Sequence, residues 1–97
     1  MIDFHPLAVA ELRQALRWYR TKSPRTARRF FEQIQSAIGR LAADPSSYPL
    51  IRPGFHYVRV SKFPFVLVYQ IRSEKDVYVA AVAHTSRRSG YWKPRTQ

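Results

Sequence analysis

YVRVSKFPFVLVYQI, residues 57–71, carries two kinds of strand pattern on either side of one proline. Over 56–61, Val58 and Val60 alternate with Tyr57, Arg59 and Ser61. A period of two marks a strand with one buried and one polar face. From Phe65 to Ile71 both sides are apolar, the pattern of a central strand covered in front and behind. Pro64 stands at the mouth of that strand, where it can be accommodated. The stretch therefore reads as an antiparallel hairpin, and a sheet lies at the centre of the fold.

Downstream, RSEKD (72–76) is a turn and Val77–His84 is a third, nearly continuous apolar run. Three strands joined by short loops make a meander. Upstream the period changes to 3.6. Ala27, Phe30, Phe31, Ile34, Ala37, Ile38 and Leu41 recur every three or four residues, the stripe of an amphipathic helix. Ser23 caps it, Pro24 suits its first turn, and Asp44-Pro45 stops it. Before it, Ala8, Leu12, Ala15, Leu16 and Tyr19 define another helix, with Glu11, Arg13, Gln14, Arg17 and Arg20 on its polar side. A link as short as 21–23 folds the two helices into an antiparallel hairpin.

Ile2 and Phe4 flank Asp3 in a short opening strand, and Pro45–Gly54 reads as a loop. The expected class is α+β in the order β-α-α-β-β-β. The helical hairpin packs on one face of a small, mainly antiparallel sheet and leaves the other face open. No repeat or composition boundary divides residues 1–97, so one domain is expected.

The composition narrows the function. With 45% hydrophobic and 14% aromatic residues, the chain is a packed globule rather than a disordered segment. The absence of cysteine excludes disulfides and thiolate metal sites. His5, His56 and His84 lie far apart without ligand spacing, so no metal and no cofactor are expected. VYVAAVA (77–83) is too short to span a membrane, and MIDFHP lacks the regions of a signal peptide. The expected location is the cytoplasm, with no membrane or small-molecule partner.

Seventeen Lys and Arg stand against six acids, for a formal charge of +11. Neither Pro45–Ser73 nor Val77–Gln97 contains an acid. Such a field attracts polyanions and acidic proteins. Arginine dominates the cations, and it is favoured where forked or stacked contacts are made.

Two groups of residues are candidates for contact. Arg13, Arg17 and Arg20 share one side of the first helix with Trp18 beside them. The stretch HTSRRSGYWKPR (84–95) holds a histidine, four cations and two aromatics. Simple alternation through Tyr78, Ala80 and Val82 places His84 on the open face with Arg59. Tyr91 and Trp92 are expected to anchor the tail to the sheet edge, and Pro94–Gln97 to fray.

Four segments together resemble the RelE/ParE superfamily of bacterial toxins from type II toxin–antitoxin systems. They are AELRQALRWY (10–19), ARRFFEQIQSAIGRLAADP (27–45), the hairpin quoted first, and VAAVAHTSRRSGYW (79–92). The last is similar to endings of the ParE-like branch, with Ser89 where relatives often carry proline. The resemblance implies the fold derived above and a cognate antitoxin whose C-terminal segment orders on the toxin. It also implies one of two actions. ParE-like members poison DNA gyrase, whereas RelE-like members cut messenger RNA on the ribosome.

As a nuclease, the chain would use Arg59 and Arg87 on the phosphate, His84 in proton transfer, and Tyr91 to stack or donate a proton. The sheet region, however, has Lys62 alone where lysine-dependent relatives need more, and no carboxylate lies in Pro45–Ser73. The ParE-like reading is therefore preferred to the nuclease, and to a plain nucleic-acid-binding module. Its contact set is Arg13, Arg17, Trp18, Arg20, Arg59, Lys62, Arg87, Arg88 and Trp92.

Overall fold

The computed structural model describes residues 1–96. Two helices, α1 (Pro6–Lys22) and α2 (Pro24–Ala43), form the hairpin. Ser23 serves both. Its N–H closes α1 by donating to the Tyr19 carbonyl (2.9 Å), and its Oγ opens α2 by accepting from the Thr26 N–H (3.3 Å). His5 caps α1 in the same way, its Nδ1 accepting the Leu7 N–H at 3.0 Å.

The sheet has five strands: β1 (Ile2–Phe4), β2 (Leu50–Arg52), β3 (Phe55–Val60), β4 (Phe65–Ser73) and β5 (Asp76–His84). Their order is β1-β5-β4-β3-β2, with β1 parallel to β5 and the rest antiparallel. The expected class holds and the helical hairpin packs on one face of the sheet, with one strand more than expected. β2 lies inside the segment expected to be loop, after a 3₁₀ turn at Pro45–Ser47. Three residues are too few to display a period, so β2 left no pattern to read.

Between helices and sheet, Phe30, Ile34 and Leu41 pack on Val58, Val60, Leu67, Tyr69 and Val79. Each such side chain contributes roughly 1.5–3 kcal/mol when buried. Tyr19, Phe30 and Phe63 close one end, with ring centroids 4.8–5.2 Å apart. Tyr69, wholly buried at its ring, keeps its hydroxyl satisfied by donating to the Pro45 carbonyl at 2.6 Å.

The opposite face is not open. Trp92 is 2% exposed and packs with Phe55, Val66, Val68, Ala80, Ala81 and Ala83. Three alanines on β5 make a trough shallow enough for an indole, and covering it removes a broad apolar strip from water. The chain's own tail is the cover.

One irregularity resets the side chains of β5. Val68 pairs with Ala81, but the next residue, Tyr69, pairs with Val79, so Ala80 is extra. Ala80 and Ala81 both belong to the front cluster, and the alternation resumes inverted. Val82 joins the core under the helices. His84, paired with Phe65, follows it. The expectation that His84 faces the same side as Arg59 is thus corrected by a single bulge.

Candidate interaction site

The site is organised by a residue expected on the polar side of α1. Glu11 lies three residues after Ala8 and four before Ala15, both buried, so it sits at the inner edge of the helix, only 13% exposed. It faces a specific vacancy in the sheet. β1 ends at Phe4, opposite Val79, and beyond that point the edge of β5 has no strand beside it. Glu11 Oε1 accepts the Val82 N–H at 3.0 Å, and Arg95 Nη1 donates to the Ala80 carbonyl at 3.2 Å. Helix and tail thus each satisfy one backbone group of the unpaired edge.

The same carboxylate gathers the tail. Oε2 accepts the Tyr91 hydroxyl at 2.8 Å, Arg95 Nη1 lies 3.0 Å from Oε1, and Arg87 Nη1 lies 3.5 Å from Oε2. The guanidinium of Arg87 also covers the Tyr91 ring, with its carbon 3.8 Å from the centroid. Burial first, then the bond to Glu11, pushes the Tyr91 phenol well above its ordinary range. The expected fraying of 94–97 fails at Arg95, which is 12% exposed and held at three points. Gln97 lies outside the described residues.

His84 ends β5 with its ring edge against Phe65, the centroids 5.0 Å apart. Its Nδ1 accepts the Ser86 N–H at 3.0 Å and contacts the Ser86 hydroxyl at 2.7 Å. A backbone N–H only donates, so Nδ1 is the unprotonated nitrogen and the neutral ring carries its proton on Nε2.

Two recesses meet at this residue. One, about 390 Å³, lies between α1 and the ends of β4 and β5, and is lined by Trp18, Tyr19, Phe65, Val82, His84 and Arg87. The other, about 490 Å³, opens on the front and is lined by Tyr57, Arg59, Val66, His84, Arg87 and Trp92. His84 and Arg87 form the ridge between them.

The expected contact residues divide accordingly. Arg59, His84 and Arg87 all line the front recess, Arg59 from the front face and His84 from the ridge at the end of β5. Tyr91 does not join them, because its hydroxyl is turned to Glu11. Trp18 is 55% exposed at the rim of the first recess, edge-on to Tyr19 and with the Lys22 ammonium 4.9 Å from its ring. Arg13, Arg17 and Arg20 are exposed on the outer side of α1, Lys62 on the β3–β4 turn, and Arg88 on the tail. Trp92, expected at the contact surface, is instead core: its indole fills the alanine trough. Glu11, Phe65 and Arg95 were not expected at the site. Glu11 had a signal, being the only acid of α1 and in phase with Ala8 and Ala15.

The family model described as ParE toxin of type II toxin-antitoxin system, parDE, matches residues 2–89. The chain belongs to the ParE toxin family. The fold agrees with a solved relative, the chromosomal ParDE TA system from P. aeruginosa, at a TM-score of 0.73 and 16% sequence identity. The match covers 86% of this chain and 92% of the other. No curated protein matches the sequence. Among the described residues of this ParE-family toxin, no helix is long and apolar enough to cross a membrane.

Proposed function

We propose that this toxin acts by binding DNA gyrase, arresting it on broken DNA, and that a cognate antitoxin neutralises it in the cytoplasm. The observation that carries this reading is the commitment of the proton-handling groups. RNA cleavage through the 2′-hydroxyl needs a base, a phosphate clamp and an acid held together. Here the Tyr91 hydroxyl is spent on Glu11, 2.8 Å away, and Glu11 is itself shared between Arg87 and Arg95. His84 Nδ1 is occupied by Ser86. What remains is a cationic, aromatic-edged surface suited to holding a partner.

The recess beside Trp18 suits the antitoxin. Its floor of Tyr19, Phe65 and Val82 takes an apolar side chain, and Arg87 and His84 at its rim favour an acidic neighbour. Net charge of +11 would speed the encounter, and the apolar anchor would hold it.

The test pairs two assays. Purified toxin is incubated with gyrase and supercoiled plasmid, and separately with ribosomes programmed with message. Accumulation of gyrase-cleaved plasmid, retained in an Arg59→Ala/His84→Ala variant, is expected. Message cut on the ribosome by wild type but spared by Arg87→Ala would replace this reading with the second one, a ribosome-dependent mRNA endoribonuclease. The convergence of Arg59, His84 and Arg87 at one recess is what favours that alternative.

A further inference from the structure

Between Glu11 and Glu32 the sequence contains seven cations and no acid. The hairpin bends this segment at Ser23, so the last turns of α1 and the first turns of α2 lie side by side with Arg17, Arg20, Arg25, Arg28 and Arg29 all exposed. Among the described residues the side-chain ion pairs are made by Glu11 and Asp76, and none involves these arginines. Lys62, on the β3–β4 turn, joins the same end by lining a third recess with Thr26, Arg29 and Glu32, the acid that bounds the patch.

Helix stability accounts for Arg20 and Lys22, which stand in the last turn of α1 where the macrodipole favours cations, but not for the cations of α2. Arg25 stands in the first turn of α2, which holds no acid, and Arg28 and Arg29 follow in the second. In the first turn the unbonded N–H groups already present positive charge, and the macrodipole favours carboxylates over cations. Lys62 breaks a second local rule. Its φ of 69° is left-handed backbone, which glycine adopts freely and a side chain resists. Two unrelated preferences are broken at one end of the molecule, each time placing a cation there. Such departures concentrate where function demands them.

We propose that the turn end of the helical hairpin is a contact surface for the backbone of duplex DNA, separate from the Trp18–His84 recess. Six of the seven cations between Glu11 and Glu32 are arginines, whose planar fork matches a phosphate at two points. Duplex DNA carries one charge per about 1.7 Å of axis. Arginines three residues apart on a helix stand about 4.5 Å apart along it, so a phosphate lattice can engage them all. Guanidinium–phosphate contacts fix position without reading bases, so the surface binds without sequence preference.

The test uses the full chain and a fluorescein-labelled 20-base-pair duplex, with anisotropy read from 50 to 200 mM NaCl. Neutralising about five phosphates gives a log–log salt slope near −4.5, hence roughly 500-fold weaker binding across that range. Arg25→Gln/Arg28→Gln should flatten the slope by about 1.8, cutting the salt effect roughly tenfold. Its thermal midpoint should match or exceed wild type, because the Arg25 cation leaves the first turn of a helix. Lys75→Gln/Lys93→Gln removes the same charge from exposed positions elsewhere and should keep the wild-type slope. The proposal is overturned if both doubles lose slope equally, or if no binding occurs at 50 mM. It is also overturned if polyglutamate of equal charge displaces the duplex as well as unlabelled duplex does, which would give the surface to an acidic protein.

Discussion

Glu11 and Tyr91, 80 positions apart in the chain, are joined by a 2.8 Å hydrogen bond from phenol to carboxylate. The bond ties the first helix to the tail, and the same carboxylate supplies the Val82 N–H with its acceptor. Edge of sheet, helix and tail are therefore one cooperative unit. The acid that organises it is the only one in α1.

Glu11→Ala should lower stability by about 3–4 kcal/mol. It leaves the half-buried Arg95 without its acid and the Val82 amide without an acceptor. Glu11→Gln, which keeps an acceptor but loses the charge, should cost about 1–2 kcal/mol. Urea unfolding measures both, and trypsin should cleave after Arg87 or Arg88 sooner in the alanine variant. Equal midpoints for all three proteins would mean that Trp92 alone holds the tail.

Alkaline pH should unfold the protein through Tyr91 and Tyr69. Burial, then the Glu11 bond, raises the first phenol, and burial raises the second to about 12. A raised phenol pKa favours the protonated form in the folded state. Its stabilisation is complete below the unfolded value near 10 and is lost as pH climbs toward the folded value. Circular dichroism followed from pH 9 to 12 should show loss of structure above pH 10, with a step in tyrosinate absorbance at the same pH. Ionisation of either phenol without loss of structure contradicts this.

The two tryptophans should behave oppositely. Trp92→Ala empties the front core and should cost about 3–5 kcal/mol. Trp18→Ala removes an exposed ring and should change stability by less than about 0.5 kcal/mol while weakening the antitoxin complex. Iodide should quench Trp18 fluorescence in the free toxin, and bound antitoxin should protect it. A Trp18 quenched as readily in the complex would remove it from the interface.

Gly90→Ala should destabilise by roughly 2 kcal/mol. Gly90 has φ 90°, and an added Cβ would lie 2.7 Å from Arg52 Nε, in a guanidinium that donates to the Ser89 carbonyl. A thermal melt of the alanine variant within a degree of wild type would show that the turn relaxes freely.

The layers of the fold were legible because each rested on a sustained period: α2 on its stripe from Ala27 to Leu41, β3 on Val58 and Val60. What escaped was whatever broke a period or had none. One extra residue at Ala80 inverted the end of β5 and moved His84 to the ridge between the two recesses, although every neighbour still read as strand. β2 was three residues in a proline-rich stretch. Glu11 was assigned outward because it is charged, yet its spacing to Ala8 and Ala15 placed it inward. The tail's cover over the front face was the hardest to foresee, since apolar residues on both sides of β4 and β5 did not say what would lie over them.

The first strand of this sheet is completed by the last. Ile2–Phe4 pairs with Val77–Val79, so a growing chain holds its opening strand unmatched while some 75 further residues are added. At about 5–20 residues per second, that delay lasts roughly 4–15 seconds. The helices can form during this time, but the hollow framed by α1, β5 and the tail cannot. A partner that recognises it meets only molecules in which Tyr91 and Arg95 have already joined Glu11.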